Sequence, residues 1–115
     1  HSICDSILGA LAKGDIGSHF SNTDPKYKNR KSSYFLKRIL EIMKKEGYKI
    51  ENIDSVLICQ KPKLSKHRIK IIKSLEKILK IPRENISVKA TTKEGLDSIG
   101  NNLAIACKCV VLISK

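Results

Sequence analysis

The sequence predicts an α/β fold, a mixed sheet packed on one side by helices. Three observations carry that prediction. Apolar residues recur at helical spacing in three segments. Short runs rich in Ile, Val and Leu, suited to buried strands, lie between and after them. The second half then reads strand, helix, strand, strand, the order in which a helix crosses over a sheet. At 115 residues the chain matches one domain of ordinary size. Its 41% apolar content supports a modest core. With two Phe, three Tyr and no Trp, that core must be built mainly from Ile, Leu and Val.

Ile3, Ile7, Leu8 and Leu11 predict a first helix, with Gly14 as its C′ residue. Residues 15–31 are polar and contain Gly17, Asn22, Asp24, Pro25 and Asn29. A loop of that length is usually functional or disordered. Ser32 or Ser33 caps the next helix. Its buried stripe is Phe35, Leu36, Ile39, Leu40 and Met43, and Gly47 closes it. Ile53 to Gln60 reads as a buried strand centred on Val56, Leu57 and Ile58, broken by Lys61-Pro62-Lys63. Ile69, Ile72, Leu75, Ile78 and Leu79 form a third helix that stops before Pro82. Ile86 to Ala90 is a short strand, and Leu103 to Ile113 a longer one, apolar enough to be buried on both faces. Gly95 to Asn102 is the turn between them. Three strands make a thin sheet. It calls for a further N-terminal strand, or for edges that pair with another subunit.

The net charge is +12, from 23 Lys and Arg against 11 Asp and Glu. Such a surface attracts anions, including phosphorylated metabolites. The cations are dispersed and few aromatics are present for bases to stack on, so nucleic acid is not the expected partner. No apolar run reaches the length of a membrane span, so no membrane association is expected. Cys4, Cys59, Cys107 and Cys109 include no Cys-x-x-Cys pair, which argues for a reducing compartment and against a cysteine zinc site. Cys107 and Cys109 fall on one face of a strand, where thiols are commonly buried.

Several segments carry chemistry. Thr91-Thr92-Lys93-Glu94 follows a strand and offers two hydroxyls, backbone N–H groups, an ammonium and a carboxylate. That set suits phosphate oxygens and a divalent cation bridging them. It also suits a polar turn that merely caps a sheet edge. In Gly14-Asp15-Ile16-Gly17 the glycines allow close approach of a ligand, and a carboxylate there can accept from sugar hydroxyls. Lys61-Pro62-Lys63 ends a buried strand, the place where open α/β sheets dock ligands. Lys63 can meet a phosphate there, and the backbone of Cys59 to Ser65 can read a base edge. His1 and Asp5 share a helix face, so His1 is either a metal ligand or simply a terminal residue. No Ser-His-Asp or Cys-His arrangement is visible, so a protein nucleophile has no support.

Taken in order, these segments resemble the 2-C-methyl-D-erythritol 2,4-cyclodiphosphate synthase family over essentially the whole chain. The resemblance rests on His1-x-x-x-Asp5, Leu8-Gly9-Ala10, Gly14-Asp15-Ile16-Gly17, Thr23-Asp24-Pro25-x-x-Lys28, Ser32 and Lys45-x-Gly47-Tyr48. It continues through Asn52-x-Asp54, Gln60-x-Pro62-Lys63, Val88-Lys89-Ala90-Thr91-Thr92-x-Glu94 and Ile105-Ala106-Cys107. It implies a homotrimer with active sites at subunit interfaces. It implies conversion of 4-diphosphocytidyl-2-C-methyl-D-erythritol 2-phosphate to the cyclic diphosphate and CMP, by attack of the 2-phosphate on the diphosphate. This step belongs to the methylerythritol phosphate route to isoprenoids. It implies zinc and a second divalent cation, magnesium or manganese.

By position, the resemblance makes His1 a zinc ligand and Glu94 a ligand of the second metal. Asp15, Ile16 and Gly17 would contact the ribose and erythritol region. Phe20, Ser21, Asn22, Thr23 and Asp24 would line the erythritol phosphate end. Cys59, Gln60, Lys61, Pro62, Lys63, Leu64 and Ser65 would hold the cytosine and its phosphates. Thr91 and Thr92 would bind the diphosphate, with Thr92 stabilising the transition state, and Lys93 and Glu94 would complete the substrate-binding turn, Lys93 with no task of its own. The family's remaining zinc ligands come from an Asp-x-His motif in an N-terminal strand not found in these 115 residues, so an N-terminally incomplete single domain is expected. Two departures stand out: Gly100-Asn101-Asn102-Leu103 replaces the family's Gly-Arg-Gly-Glu, and Asn22 replaces an Asp. The Lys, Ile and Asn bias of an AT-rich host points to a plastid, the apicoplast, with bacterial cytoplasm as the alternative.

Overall fold

The structure, a computed structural model, describes residues 1–115. In chain order it comprises α1 (Ser2–Ala10), α2 (Ile16–His19), a 3-10 turn (Pro25–Tyr27), α3 (Ser32–Lys45), β1 (Lys49–Ile58), a second 3-10 turn (Leu64–Lys66) and α4 (Arg68–Leu79). A third 3-10 turn (Arg83–Asn85), β2 (Ile86–Thr91), α5 (Asp97–Gly100) and β3 (Ala106–Ser114) complete it. The chain forms two compact units, His1–Glu51 with Val111–Lys115, and Asn52–Val110. The strands form one sheet in the order β2-β1-β3. β1 and β2 are parallel. The Ser114 hydroxyl at the end of β3 donates to Glu51 at the start of β1, as strands running in opposite directions require, so the sheet is mixed.

In the first unit, α1 packs on α3. Cys4, Ile7 and Leu8 face Leu36, Ile39, Leu40 and Met43, all buried, with Ile50 beside them. Each fully buried aliphatic chain stabilises the fold by about 1.5–3 kcal/mol. α3 ends in a Schellman motif. Tyr48 N–H donates to Met43 C=O and Gly47 N–H to Lys44 C=O, and Gly47 takes the left-handed backbone (φ +83°) that this exit needs. The expected cap at Ser32 or Ser33 is not made. Lys31 is the N-cap and makes no side-chain capping bond, since Ser32 already lies inside the helix. Nor is Gly14 the C′ residue of α1. The helix closes earlier, at Leu11, and Ala12 takes the left-handed conformation.

In the second unit, α4 packs against β2, and Ile53, Leu79, Ile86 and Val88 form the apolar centre with Cys59. Ser55 is buried among them and satisfies its hydroxyl on Ser87 C=O. β1 begins at Lys49, earlier than the expected Ile53, and stops at Ile58, before Cys59 and Gln60. β3 is the largest correction. It was expected to be buried on both faces, but it is an edge strand, and Val110 and Leu112 are 72% and 61% exposed. The turn before it contains the short helix α5. There Gly100 lies so close to Gly95 that a Cβ would sit 2.3 Å from the Gly95 carbonyl carbon.

Candidate functional site

β1 and β2 are parallel and in register up to Ile58 and Thr91, so both chains leave the sheet at the same end. Cys59 N–H donates to Thr91 C=O, which extends the pairing by one rung. The geometry forces the segments after the two strands together, as at the carboxyl ends of other open α/β sheets. Between them lies a cavity of about 170 Å³ lined by Cys59, Gln60, Lys63, Leu64 and Ser65 on one side and Ala90, Thr91 and Thr92 on the other. Sites for whole small molecules begin near about 300 Å³. This one suits a fragment, such as a base or a phosphate.

Each lining group has a local reason for its pose. The Cys59 thiol is buried and donates to Lys61 C=O at 2.8 Å, which engages its S–H within its own turn. Gln60 Oε1 accepts from Gly95 N–H at 3.3 Å. Thr92 Oγ1 accepts from Glu94 N–H at 3.2 Å, which leaves its own hydroxyl proton free to donate outward. Glu94 has φ +52°, an uncommon conformation for a side-chain-bearing residue and one that clusters at functional sites. Lys93 lies 4.0 Å from Asp97. Lys61 and Pro62, joined by a cis peptide bond, are exposed and lie outside the cavity lining, as do Lys93 and Glu94. Ala90 lines it, although its residue type carries no chemical signal.

A second group of expected site residues lies in the first unit. Asp15 is the N-cap of α2 and forms a capping box with Ser18. Ser18 N–H and Oγ–H both donate to Asp15 Oδ1, at 2.8 and 2.5 Å, and these bonds hold the carboxyl below its ordinary value. Ile16 N–H donates to Asp5 Oδ1 at 2.8 Å. Gly14, at φ +81°, makes the bend into this segment, and Gly17 is exposed within α2. The Phe20 ring packs on Tyr27 and Phe35, with centroids 5.3 and 5.0 Å away, and so anchors its loop to α3. Ser21 and Thr23 hydroxyls pair at 2.7 Å, and Asp24 accepts from Lys26 N–H. Asn22 is exposed. His1 is the exposed N-cap of α1, with Nε2 3.4 Å from Ser32 Oγ.

The chain matches the YgbB family model over residues 1–114. It is 48% identical over its whole length to a 2-C-methyl-D-erythritol 2,4-cyclodiphosphate synthase of Brachyspira hyodysenteriae, of which it covers 73%, and 46% identical to that of Aquifex aeolicus, of which it covers 72%. Among solved structures, an IspF of Plasmodium falciparum in a CDP complex is 42% identical, with a TM-score of 0.84, covering 98% of this chain and 67% of that one. The chain belongs to the YgbB family.

A YgbB chain with the metals its resemblance implies would have to supply donors for zinc and a second cation. These residues do not fit either ion. No group of three or more His, Cys, Asp or Glu side chains is gathered anywhere in the chain. His1 is one donor where a zinc site takes three or four, and Glu94 likewise has no companion.

Proposed function

We infer that this chain converts 4-diphosphocytidyl-2-C-methyl-D-erythritol 2-phosphate to 2-C-methyl-D-erythritol 2,4-cyclodiphosphate and CMP, as a phosphorus–oxygen lyase of the methylerythritol phosphate pathway. One observation carries the reading. In a chain aligned over its whole length with about three quarters of such a synthase (73%), the 59–65 segment and the 90–92 turn build one cavity at the strand ends. The cytidine end of the substrate is assigned to the 59–65 wall, read through backbone groups. Asp15, with Ile16 and Gly17, is assigned to the sugar hydroxyls, and the 20–24 turn to the erythritol phosphate.

The products define the bonds. A 2-phosphate oxygen bonds to the phosphorus carried on the erythritol 4-oxygen. The bridging bond from that phosphorus to the cytidine phosphate breaks, and its electron pair leaves on CMP. Since the nucleophile is the substrate's own phosphate, no protein nucleophile is needed, which agrees with the absence of a catalytic Ser or Cys arrangement. The chain must bring two anions together in line and offset their repulsion. Lys63 supplies charge. Thr91, with backbone N–H groups, binds the diphosphate, and the free hydroxyl proton of Thr92 meets charge developing on the transferred phosphoryl oxygens. His1 and Glu94 would each give a single donor toward zinc and the second divalent cation, too few among these residues to hold either ion. No step is assigned to either metal.

The assembly is assigned as a homotrimer with active sites at subunit interfaces, supported by the exposed apolar residues of the edge strand β3. The Lys, Ile and Asn bias supports an AT-rich host. Matched chains come from bacteria and from Plasmodium falciparum, so it fits the apicoplast and the bacterial cytoplasm alike. The test of the function is CMP release from the cytidine diphosphate substrate by the full-length protein with divalent metal. Release is expected, and its absence sinks the reading.

A further inference from the structure

Asp5 is exposed and lies on α1, eleven residues before Ile16 in sequence. Its Oδ1 accepts the Ile16 N–H at 2.8 Å, a short bond to an ionised acceptor and therefore one of the stronger kinds. Ile16 is the first residue of α2, and its N–H is one of the helix-start donors with no intrahelical partner. The neighbouring Asp15 spends its carboxylate within its own turn, on Ser18 and the Gly17 N–H. The capping box therefore shapes α2 internally, the His19 ring meets Lys13 C=O at its far end, and Asp5 ties the start of that four-residue helix to α1. Such a helix is too short to hold its own place.

We propose that Asp5 is a positioning residue. Its carboxylate fixes the start of α2, so that Asp15 and the Ile16-Gly17 backbone point at the sugar hydroxyls of a nucleoside diphosphate substrate. The proposal rests on the assignment of Asp15 to substrate. Asp5 touches no reacting atom, and its effect passes through Asp15.

The experiment compares Asp5→Ala, Asp5→Asn, Asp15→Ala and the double Asp5→Ala/Asp15→Ala in the full-length enzyme, reading KM and kcat, the CDP dissociation constant and bound zinc. Asp5→Ala should raise KM about tenfold with kcat within about threefold, since a hydrogen bond to a charged group is lost from binding geometry. Asp5→Asn keeps an acceptor oxygen and should stay within about threefold of the parent enzyme. The double variant should be little worse than Asp15→Ala, because the two act as a unit. Amide exchange at Ile16 should be slowed in the parent and Asp5→Asn proteins and fast in Asp5→Ala, a readout that needs no turnover. If Asp15→Ala leaves KM unchanged, the substrate assignment of Asp15 fails. If Asp15→Ala raises KM but Asp5→Ala does not, the positioning role fails. Loss of zinc and kcat at unchanged KM would tie Asp5 to His1 and overturn the proposal. Equal damage from Asn and Ala, or an unprotected Ile16 amide in the parent protein, would overturn it too.

Discussion

At the scale of single residues, Thr92 and Glu94 are constrained in ways their neighbours are not. Thr92 Oγ1 accepts the Glu94 N–H, so the hydroxyl keeps its proton to donate elsewhere. Thr92→Ala should lower kcat by about 10²–10³ and change KM little, as for other donors aimed at developing charge. Thr92→Ser should recover most of it, and a pure KM effect in steady-state kinetics would remove Thr92 from the transition state. Glu94 occupies a left-handed backbone that costs a side-chain-bearing residue about 1–2 kcal/mol. Glu94→Gly should therefore melt no lower than the parent protein in a thermal scan while its CMP release falls. A lower melting point would show that the turn is held by the side chain. Asp54 illustrates the titration side. Its hydrogen bond with Lys89 holds the carboxyl below the ordinary value. A carboxyl depressed in the folded state contributes stability that is present above its unfolded value of about 4 and fades as pH falls through the folded one. Between about pH 5 and about pH 3, urea midpoints should fall more steeply for the parent protein than for Asp54→Asn.

At the scale of elements, what could be read in the sequence depended on how local the cause was. α3 and α4 were legible because their apolar stripes repeat at helical spacing, and Gly47 announced the end of α3. β2 was legible because Ile86-Ser87-Val88-Lys89-Ala90 alternates apolar with polar residues, the period of a strand. The start of β1 was not, because Lys49-Ile50-Glu51-Asn52 holds one apolar residue and shows neither an apolar run nor strict alternation. α2 was hidden inside a polar segment although its signal was present. Asp15 and Ser18 stand at N-cap and N3, where a capping box is recognised, but four residues show no periodicity. The cavity followed from a nonlocal fact, the parallel pairing that sets Ile58 beside Thr91. The sequence brought both walls under suspicion only through their chemistry and their resemblance to a family. The contact of Asp5 with Ile16 had no sequence signal, since nothing in a His-x-x-x-Asp spacing points to a donor eleven residues away. The Gly95–Gly100 approach gives an element-scale prediction. A Cβ at Gly100 meets backbone 2.3 Å away, which no rotamer can relieve. Gly100→Ala should displace the 95–100 turn and cost about 1–3 kcal/mol in urea unfolding, and an unchanged midpoint would show that the close approach is not made.

At the scale of the whole molecule, the expectation about β3 failed for a reason that concerns assembly. A continuous apolar strand reads as buried on both faces, but a single chain places it at the sheet edge, with Val110 and Leu112 open. Leu103 and Ile105, just before the strand, are 79% and 68% exposed. An apolar edge of this kind is an aggregation hazard unless something covers it. If the cover is two further copies, Leu112 is surface in one chain and interior in the trimer. Leu112→Glu then leaves the fold of a chain untouched and acts only on association, where burying an unpaired carboxylate is strongly unfavourable. Sedimentation velocity should show a trimer for the parent protein and a monomer for Leu112→Glu, with the same far-ultraviolet circular dichroism. CMP release should fall with the trimer if each site draws on two chains. A trimeric Leu112→Glu protein would place the interface elsewhere. A monomeric parent protein that releases CMP would show that one chain is sufficient for the site, and the exposed strand would then need a different cover.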